Sequence, residues 1–251
     1  MIYLESRGRR YHRNAISVYR CKGDGIMAVL SSLTHSTISI DKGYLRIKRI
    51  LDIVFTLLIL FPLCVVIAVF AVLICLDSKG PVFFRQKRVG RNGVEFYIFK
   101  LRSMYVDSDV SVHRESVKLY MNGAALNGKN DSDNQYKLVD DPRITRVGRF
   151  IRKTSIDELP QFINVLQGKM TLVGPRPPLP YEVEEYGPRE WIRLLGKPGL
   201  TGTWQVYGRS RVPFKEMVEM DIEYLGQQSL LEDLKLIALT LPVMLKGRGG
   251  A

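Results

Sequence analysis

From Ile53 to Leu76 the chain reads IVFTLLILFPLCVVIAVFAVLICL, 24 residues without a charged side chain. As a straight helix rising ~1.5 Å per residue this run covers ~36 Å, more than the ~30 Å of a bilayer's hydrocarbon core. A helix apolar all round is not the pattern of a soluble domain's amphipathic helix, so this segment is expected to meet lipid. Pro62 sits near its middle and removes one backbone donor, so a kink or break is expected there. Both flanks are basic: Lys42, Arg46, Lys48 and Arg49 before it; Lys79, Arg85, Lys87, Arg88 and Arg91 after it. Positive residues favour the cytoplasmic side, so a spanning helix would leave one cluster on the wrong face. A helix–break–helix entering and leaving by one face keeps both inside, provided carbonyls freed near Pro62 find partners within the protein. A proline-kinked span is also compatible with these residues, and they leave the two topologies open.

The charge balance points the same way. With 37 Lys plus Arg against 25 Asp plus Glu, the net charge is +12 over 251 residues. The excess falls in three blocks: net +7 over residues 1–49, +5 over 77–103 and +5 over 142–177. Basic chains seek phosphate, whether in lipid headgroups, nucleotides or nucleic acid. The three cysteines (Cys21, Cys64, Cys75) suggest neither a disulfide framework nor a Cys/His metal site. No secretory signal is expected, because the first apolar run begins near residue 50 and lacks a small-residue cleavage site. His12, His35 and His113 lie outside the motif-dense regions, which leaves acid–base work to carboxylates.

The chain divides into a basic arm (1–43), a membrane segment (44–78) and a catalytic region (79–251). Val82–Phe84 and Phe96–Phe99, joined through Asn92-Gly93, read as a β-hairpin whose turn needs positive φ. A short helix is expected over Val112–Tyr120 and a loop over Asn127–Asn134. Residues 144–168 read as helical with an interruption near Thr154–Pro160, and 174–213 as mostly loop. Phe214–Leu225 and Leu230–Leu245 read as amphipathic helices. The second is apolar enough for a membrane surface, and a core helix is an equal reading.

Four motifs carry candidate chemistry. Arg149 to Gln161 reads RFIRKTSIDELPQ. Pro160 suits only a first helical turn, so a helix should begin close to Asp157. Unpaired N–H groups, the helix dipole and Arg152 would keep that carboxylate ionised. An ionised carboxylate among cations can attack phosphorus, and Glu158 beside it can bind a divalent ion or move a proton. The plain alternative is a capping pair, with Asp157 as N-cap. In Gly174-Pro-Arg176-Pro-Pro178, prolines stiffen a loop that presents a guanidinium, either as a phosphate clamp or as a surface turn. Lys100-Leu-Arg102 follows a strand and places both cations on one face, toward phosphate or toward solvent. Pro198 to Arg209 is glycine-rich and permits close backbone approach to a ligand, which is weak evidence alone. There is no Walker A loop and no dinucleotide fingerprint.

Taken in order, these motifs resemble a known family. Arg49-Ile-Leu-Asp52, the apolar run with Pro62, GPVFFRQKRVG (80–90), KLRSM (100–104), DPRITRVG (141–148), TSIDELP (154–160), VGPRP (173–177) and PGLTG with Trp204-Gln205-Val closely resemble the bacterial sugar transferases, the monotopic polyprenyl-phosphate phosphoglycosyl transferases. The likeness covers about residues 44–246 and is closest to the shorter type, without a large multi-helix N-terminal region. It implies an α/β fold, mostly helical with a small sheet or β-hairpin, and a re-entrant helix broken at Pro62. The implied reaction moves a sugar-1-phosphate from a UDP-sugar to undecaprenyl phosphate. UMP is released, and the phosphosugar passes through a covalent intermediate, with Mg²⁺ as cofactor. By motif position Asp157 is the nucleophile, Glu158 its metal- or proton-handling partner, and Asp157 and Glu158 together the metal ligands. Arg88, Lys100, Arg152 and Arg176 match basic positions expected to hold phosphate; Arg102, Gln205 and Arg209 join them as substrate-binding candidates. Asp233 matches a further acidic position of uncertain role. One departure stands out: members often carry Ser before the proline, and here it is Phe61. The resemblance further implies the cytoplasmic face of a bacterial inner membrane, contact with inner-leaflet lipid, a role in exopolysaccharide, capsule or glycoconjugate assembly, and no nucleic-acid partner. A homodimer, the identity of the sugar and the role of residues 1–43 are left open. Two other readings remain: a membrane-anchored glycosyltransferase releasing UDP, and a basic membrane-bound module without chemistry.

Overall fold

The computed structural model describes residues 42–106, 111–121, 141–208 and 212–245. The basic arm up to residue 41, the loop expected over Asn127–Asn134, and Arg209 lie outside them.

Helix α1 (Lys42–Asp77) takes in the whole apolar run and is assigned as one helix through Pro62. It starts two residues earlier than the expected membrane segment. Its best 18-residue window has a mean hydropathy of 3.3, and only 6% of that window is buried inside the protein. Leu58, Phe61 and Leu76 are among its most exposed side chains. The helix nevertheless touches the rest of the molecule at both ends. In its first half Arg49 donates to the carbonyls of Val165 (2.6 Å) and Leu166 (2.9 Å), and Asp52 accepts from Thr171 Oγ1 (2.7 Å) and the Leu172 amide (3.1 Å). In its last turns Ile74 packs on Leu101 and Ile151, and the Asp77 carboxylate accepts from the Val147 amide at 2.9 Å.

Strands β1 (Phe83–Val89) and β2 (Glu95–Leu101) form the expected antiparallel hairpin. Its turn places Asn92 at φ 58° and Gly93 at φ 76°, the left-handed region that Asn and Gly tolerate best. Helix α2 (Ser111–Met121) extends the expected short helix by a residue at each end. Helix α3 (Arg146–Lys153) opens on Thr145, whose hydroxyl accepts from the Gly148 amide at 2.9 Å, an N-cap bond. A 3₁₀ turn, Ile156–Gln161, then forms the anticipated interruption and runs into α4 (Phe162–Leu166).

The stretch read as mostly loop is more structured than expected. Strands β3 (Thr171–Val173) and β4 (Gly199–Thr201) pair in parallel, with α5 (Pro180–Val183) and α6 (Pro188–Trp191) between them. Three-residue strands leave no alternating pattern to read. The pairing depends on close backbone approach: a Cβ on Gly199 would lie 2.1 Å from the Gly174 amide nitrogen. Helices α7 (Phe214–Gln227) and α8 (Leu230–Leu245) close the fold. One cluster joins Phe96 and Ile98 of the hairpin to Val165, Met170, Leu172, Tyr224 and Leu236. A second joins α7 to Val89, Tyr186, Ile192 and Trp204. The described residues are thus mostly helical, with two small two-stranded sheets.

Candidate active site at the 3₁₀ turn

Ser155 enters the left-handed region (φ 58°) and turns the chain sharply after α3. The next residues coil into the 3₁₀ turn, so Asp157 and Glu158 occupy its first turn rather than the N-cap, which is Ser155. The turn lies against β2, and Lys100 of that strand bridges both acids. Its Nζ is 2.7 Å from Glu158 Oε1 and 3.7 Å from Asp157 Oδ2. Arg176, on the proline-stiffened loop, brings Nη2 to 3.5 Å from Glu158 Oε1, and its guanidinium lies 5.9 Å from the Trp204 ring centre. Arg88 is held from both sides: Nη1 donates to Pro177 O at 2.9 Å, and Nη2 to Gln86 Oε1 at 2.8 Å. The adjacent Val89 amide bonds Pro178 O at 2.9 Å, so hairpin and loop are zipped together behind the two arginines.

Arg88, Lys100, Glu158, Gln161, Arg176 and Gln205, with Ile98, Gly199 and Leu200, line one open cleft.

The electrostatics add a force that the local sequence does not show. Asp157 was read as a carboxylate kept ionised by helix N–H groups and Arg152. It is only 6% exposed, and burial pushes its pKa above the ordinary aspartate value, against the pull of Lys100, Arg152 and Arg176. Burial also acts on Glu158, but there Lys100 and Arg176 win, and its pKa falls well below the ordinary glutamate value. Two neighbouring carboxylates are therefore driven apart: Glu158 holds the negative charge and Asp157 is the more basic.

Asp157 and Arg152 lie beside this cleft without lining it, and Arg102 and Asp233 lie away from it. Arg102 is 6% exposed but turns toward α1, donating to Ser78 O (2.6 Å), Ser78 Oγ (3.0 Å) and Ile74 O (3.3 Å). It satisfies carbonyls left open where that helix ends, and alternation past the end of β2 no longer predicts its direction. Asp233 sits in α8 and accepts from Tyr44 (2.8 Å), Tyr224 (2.6 Å) and Lys48, all buried. It fastens the start of α1 to α7 and α8. Arg152 is half-buried and acts on Asp157 through its charge.

The sequence reading assigned no role to Gln161, Gln86, Trp204 or Arg193. Gln161 follows Asp157 by four residues and is 4% exposed at the cleft wall; Gln86 shares a strand face with Arg88, so both had a local signal. Arg193 had none. It is 2% exposed, pairs with buried Asp221, and donates to Tyr186 OH (3.0 Å) and Arg176 O (3.3 Å), bracing the loop from behind.

Two carboxylates face several held cations on a domain clasped to a helix long and apolar enough to cross a membrane. Residues 43–247 match the bacterial sugar transferase family, and the chain belongs to that family of transferases. It is 44% identical over 225 residues to the galactosyl transferase CpsE of Streptococcus agalactiae, covering 87% of this chain and 46% of that protein. It is 40% identical over 203 residues to the undecaprenyl-phosphate galactose phosphotransferase of Salmonella typhimurium, covering 81% and 41%. With the exopolysaccharide production protein ExoY of Sinorhizobium fredii it shares 37% over 202 residues, covering 80% and 87%. The chain thus spans less than half the length of the first two relatives and most of the third.

Proposed function

We propose that this chain transfers a sugar-1-phosphate from a UDP-sugar to undecaprenyl phosphate at the cytoplasmic face of a bacterial inner membrane, as an early step of exopolysaccharide, capsule or glycoconjugate assembly. The observation that carries this is the cluster of Asp157 and Glu158 with three held cations: Arg88, Lys100, Glu158 and Arg176 line the cleft, and buried Asp157 lies beside it, 3.7 Å from Lys100. In the first half-reaction an Asp157 carboxylate oxygen attacks the β-phosphorus of the donor. An acyl–phosphate bond forms, the bond to the bridging oxygen breaks, and UMP departs with that electron pair. In the second, a phosphate oxygen of undecaprenyl phosphate attacks the same phosphorus and Asp157 leaves as carboxylate, giving the lipid diphosphate sugar. Burial that makes Asp157 more basic also makes its ionised form the better nucleophile. Arg88, Lys100 and Arg176 hold the phosphate oxygens on which negative charge is spread.

Asp157 and Glu158 suit Mg²⁺, which takes one or two carboxylates and fills its other positions with water and substrate phosphate. The Lys100 and Arg176 ion pairs fall on one oxygen of each, Asp157 Oδ2 and Glu158 Oε1. When bound, the ion would neutralise phosphate charge. Helix α1 is proposed to enter and leave by one membrane face. Its two ends rest on the same domain and its basic flanks would share the cytoplasmic side, while Phe61-Pro62 lies at the exposed middle.

The test is the nucleotide released when detergent-purified protein meets undecaprenyl phosphate, Mg²⁺ and a panel of UDP-sugars headed by UDP-galactose. UMP from one donor is the expected product. UDP would instead assign a glycosyltransferase that leaves the phosphate behind. The pH profile gives a second check. Asp157 must be ionised to attack, so the rate should fall as pH drops through a pKa above the ~3.9 of an ordinary aspartate. Lys100→Met removes the largest charge opposing that upward shift, so the acid limb should move to higher pH. A limb that stays in place or moves down contradicts the assignment.

A further inference from the structure

Phe84 has no part in the site described above, yet its position relates it to that site. It is 50% exposed, on a strand whose neighbours reach both the cleft and the membrane helix. Register pairs Phe84 with Lys100, and strand alternation puts it on the same face as Arg88, Ile98 and Lys100, three residues of the cleft wall. Side chains directly opposite across such a pair have Cβ atoms ~5 Å apart. Two residues earlier, Val82 packs in the cluster that includes Ile74 near the end of α1, and its carbonyl accepts from the Arg102 amide at 2.8 Å. The chain therefore passes from the membrane helix through Phe84 to the cation that bridges both acids. Phe83 is just as exposed, at 50%, but alternation turns it to the other face, with Arg85 and Phe99.

Exposure of one apolar side chain is ordinary by itself; here its place directly opposite Lys100 sets an apolar surface next to phosphate-binding cations. The ligand that needs phosphate contacts on one side and apolar contacts on the other is a polyisoprenyl phosphate. We propose that Phe84 is the contact for the isoprene units nearest the acceptor's phosphate, so that it recognises the lipid rather than the nucleotide sugar. This rests on the transfer reaction proposed above. Phe84 takes no part in bond making; it places the acceptor phosphate beside Lys100 and thereby in line with Asp157.

The experiment measures steady-state KM for donor and acceptor separately, using the full chain in detergent, first with undecaprenyl phosphate and then with the short acceptor geranyl phosphate. Phe84→Ala should raise the acceptor KM about tenfold with either lipid, the scale of one lost apolar side-chain contact, and leave the donor KM within twofold. Phe84→Leu should recover most of the loss, and Phe83→Ala should leave the acceptor KM unchanged. An acceptor KM unaffected by Phe84→Ala would overturn the assignment. So would an equal rise in both KM values, or an effect confined to the long lipid and shared by Phe83→Ala, which would mark general membrane anchoring. Failure of the wild-type chain to transfer to any acceptor would be a different result and would remove the underlying reaction.

Discussion

Asp157→Asn should lower sugar-phosphate transfer by about 10³-fold or more while leaving the protein folded and membrane-bound. The loss expected on removing a covalent nucleophile is of this order, since no neighbouring group can take over bond formation. Glu158 cannot substitute: its carboxylate is tied to Lys100 at 2.7 Å and held in its least basic form by Lys100 and Arg176. With a donor labelled at the β-phosphorus and no acceptor present, label should appear on the wild-type protein and not on the variant. An amide is close to isosteric and uncharged, and Asp157 is penalised by burial, so the substitution should not unfold the chain. A variant that retained a tenth of the wild-type rate would remove Asp157 from the role of nucleophile.

The second large effect is on stability. Asp233→Ala should destabilise the fold by about 3–5 kcal/mol, the usual cost of removing one partner from a buried ion pair. It strands the Lys48 ammonium, which is 8% exposed, and takes an acceptor from Tyr44 and Tyr224. The Tyr224 hydroxyl also lies 3.2 Å from Val173 O, so the disturbance reaches the strand leading into the Arg176 loop. Thermal unfolding in detergent should show the loss, of order 10 °C at ~2–4 °C per kcal/mol for a chain of this size. Asp233→Asn, which keeps an acceptor oxygen, should fall between the two. A melting temperature within 2 °C of wild type for the alanine variant would mean that α1 is held by its other contacts.

Much of this could be read from residues alone because it is local. The hairpin declared itself through Asn92-Gly93 between two β-branched and aromatic runs, and α8 through its apolar length. Pro160 announced a helix start, and the structure supplies one in a tighter form, as a 3₁₀ segment that follows left-handed Ser155. What stayed hidden depends on distant partners. No pattern in three residues announces the parallel pairing of β3 with β4. Arg102 was read from strand alternation, but the strand ends one residue before it and the open carbonyls of α1 decide its direction. Asp157 was read from its local helix terminus, which favours the charged form, whereas burial by elements far away in sequence dominates. Motif order carried the resemblance in spite of these misreadings, because order reflects the whole chain.

The clasp between α1 and the rest of the molecule has a practical meaning. A cut at residue 78 does not separate a tether from a soluble body. It takes away Asp52, the acceptor for Thr171 and Leu172 at the base of the Arg176 loop; Lys48, the counter-ion of Asp233; and Ile74, which covers Leu101 and Ile151. The remainder would be left with open polar groups and a bare apolar flank on the elements that carry the chemistry. Helix and pocket are thus parts of one mechanical object: α1 sets the ground on which the Arg176 loop stands.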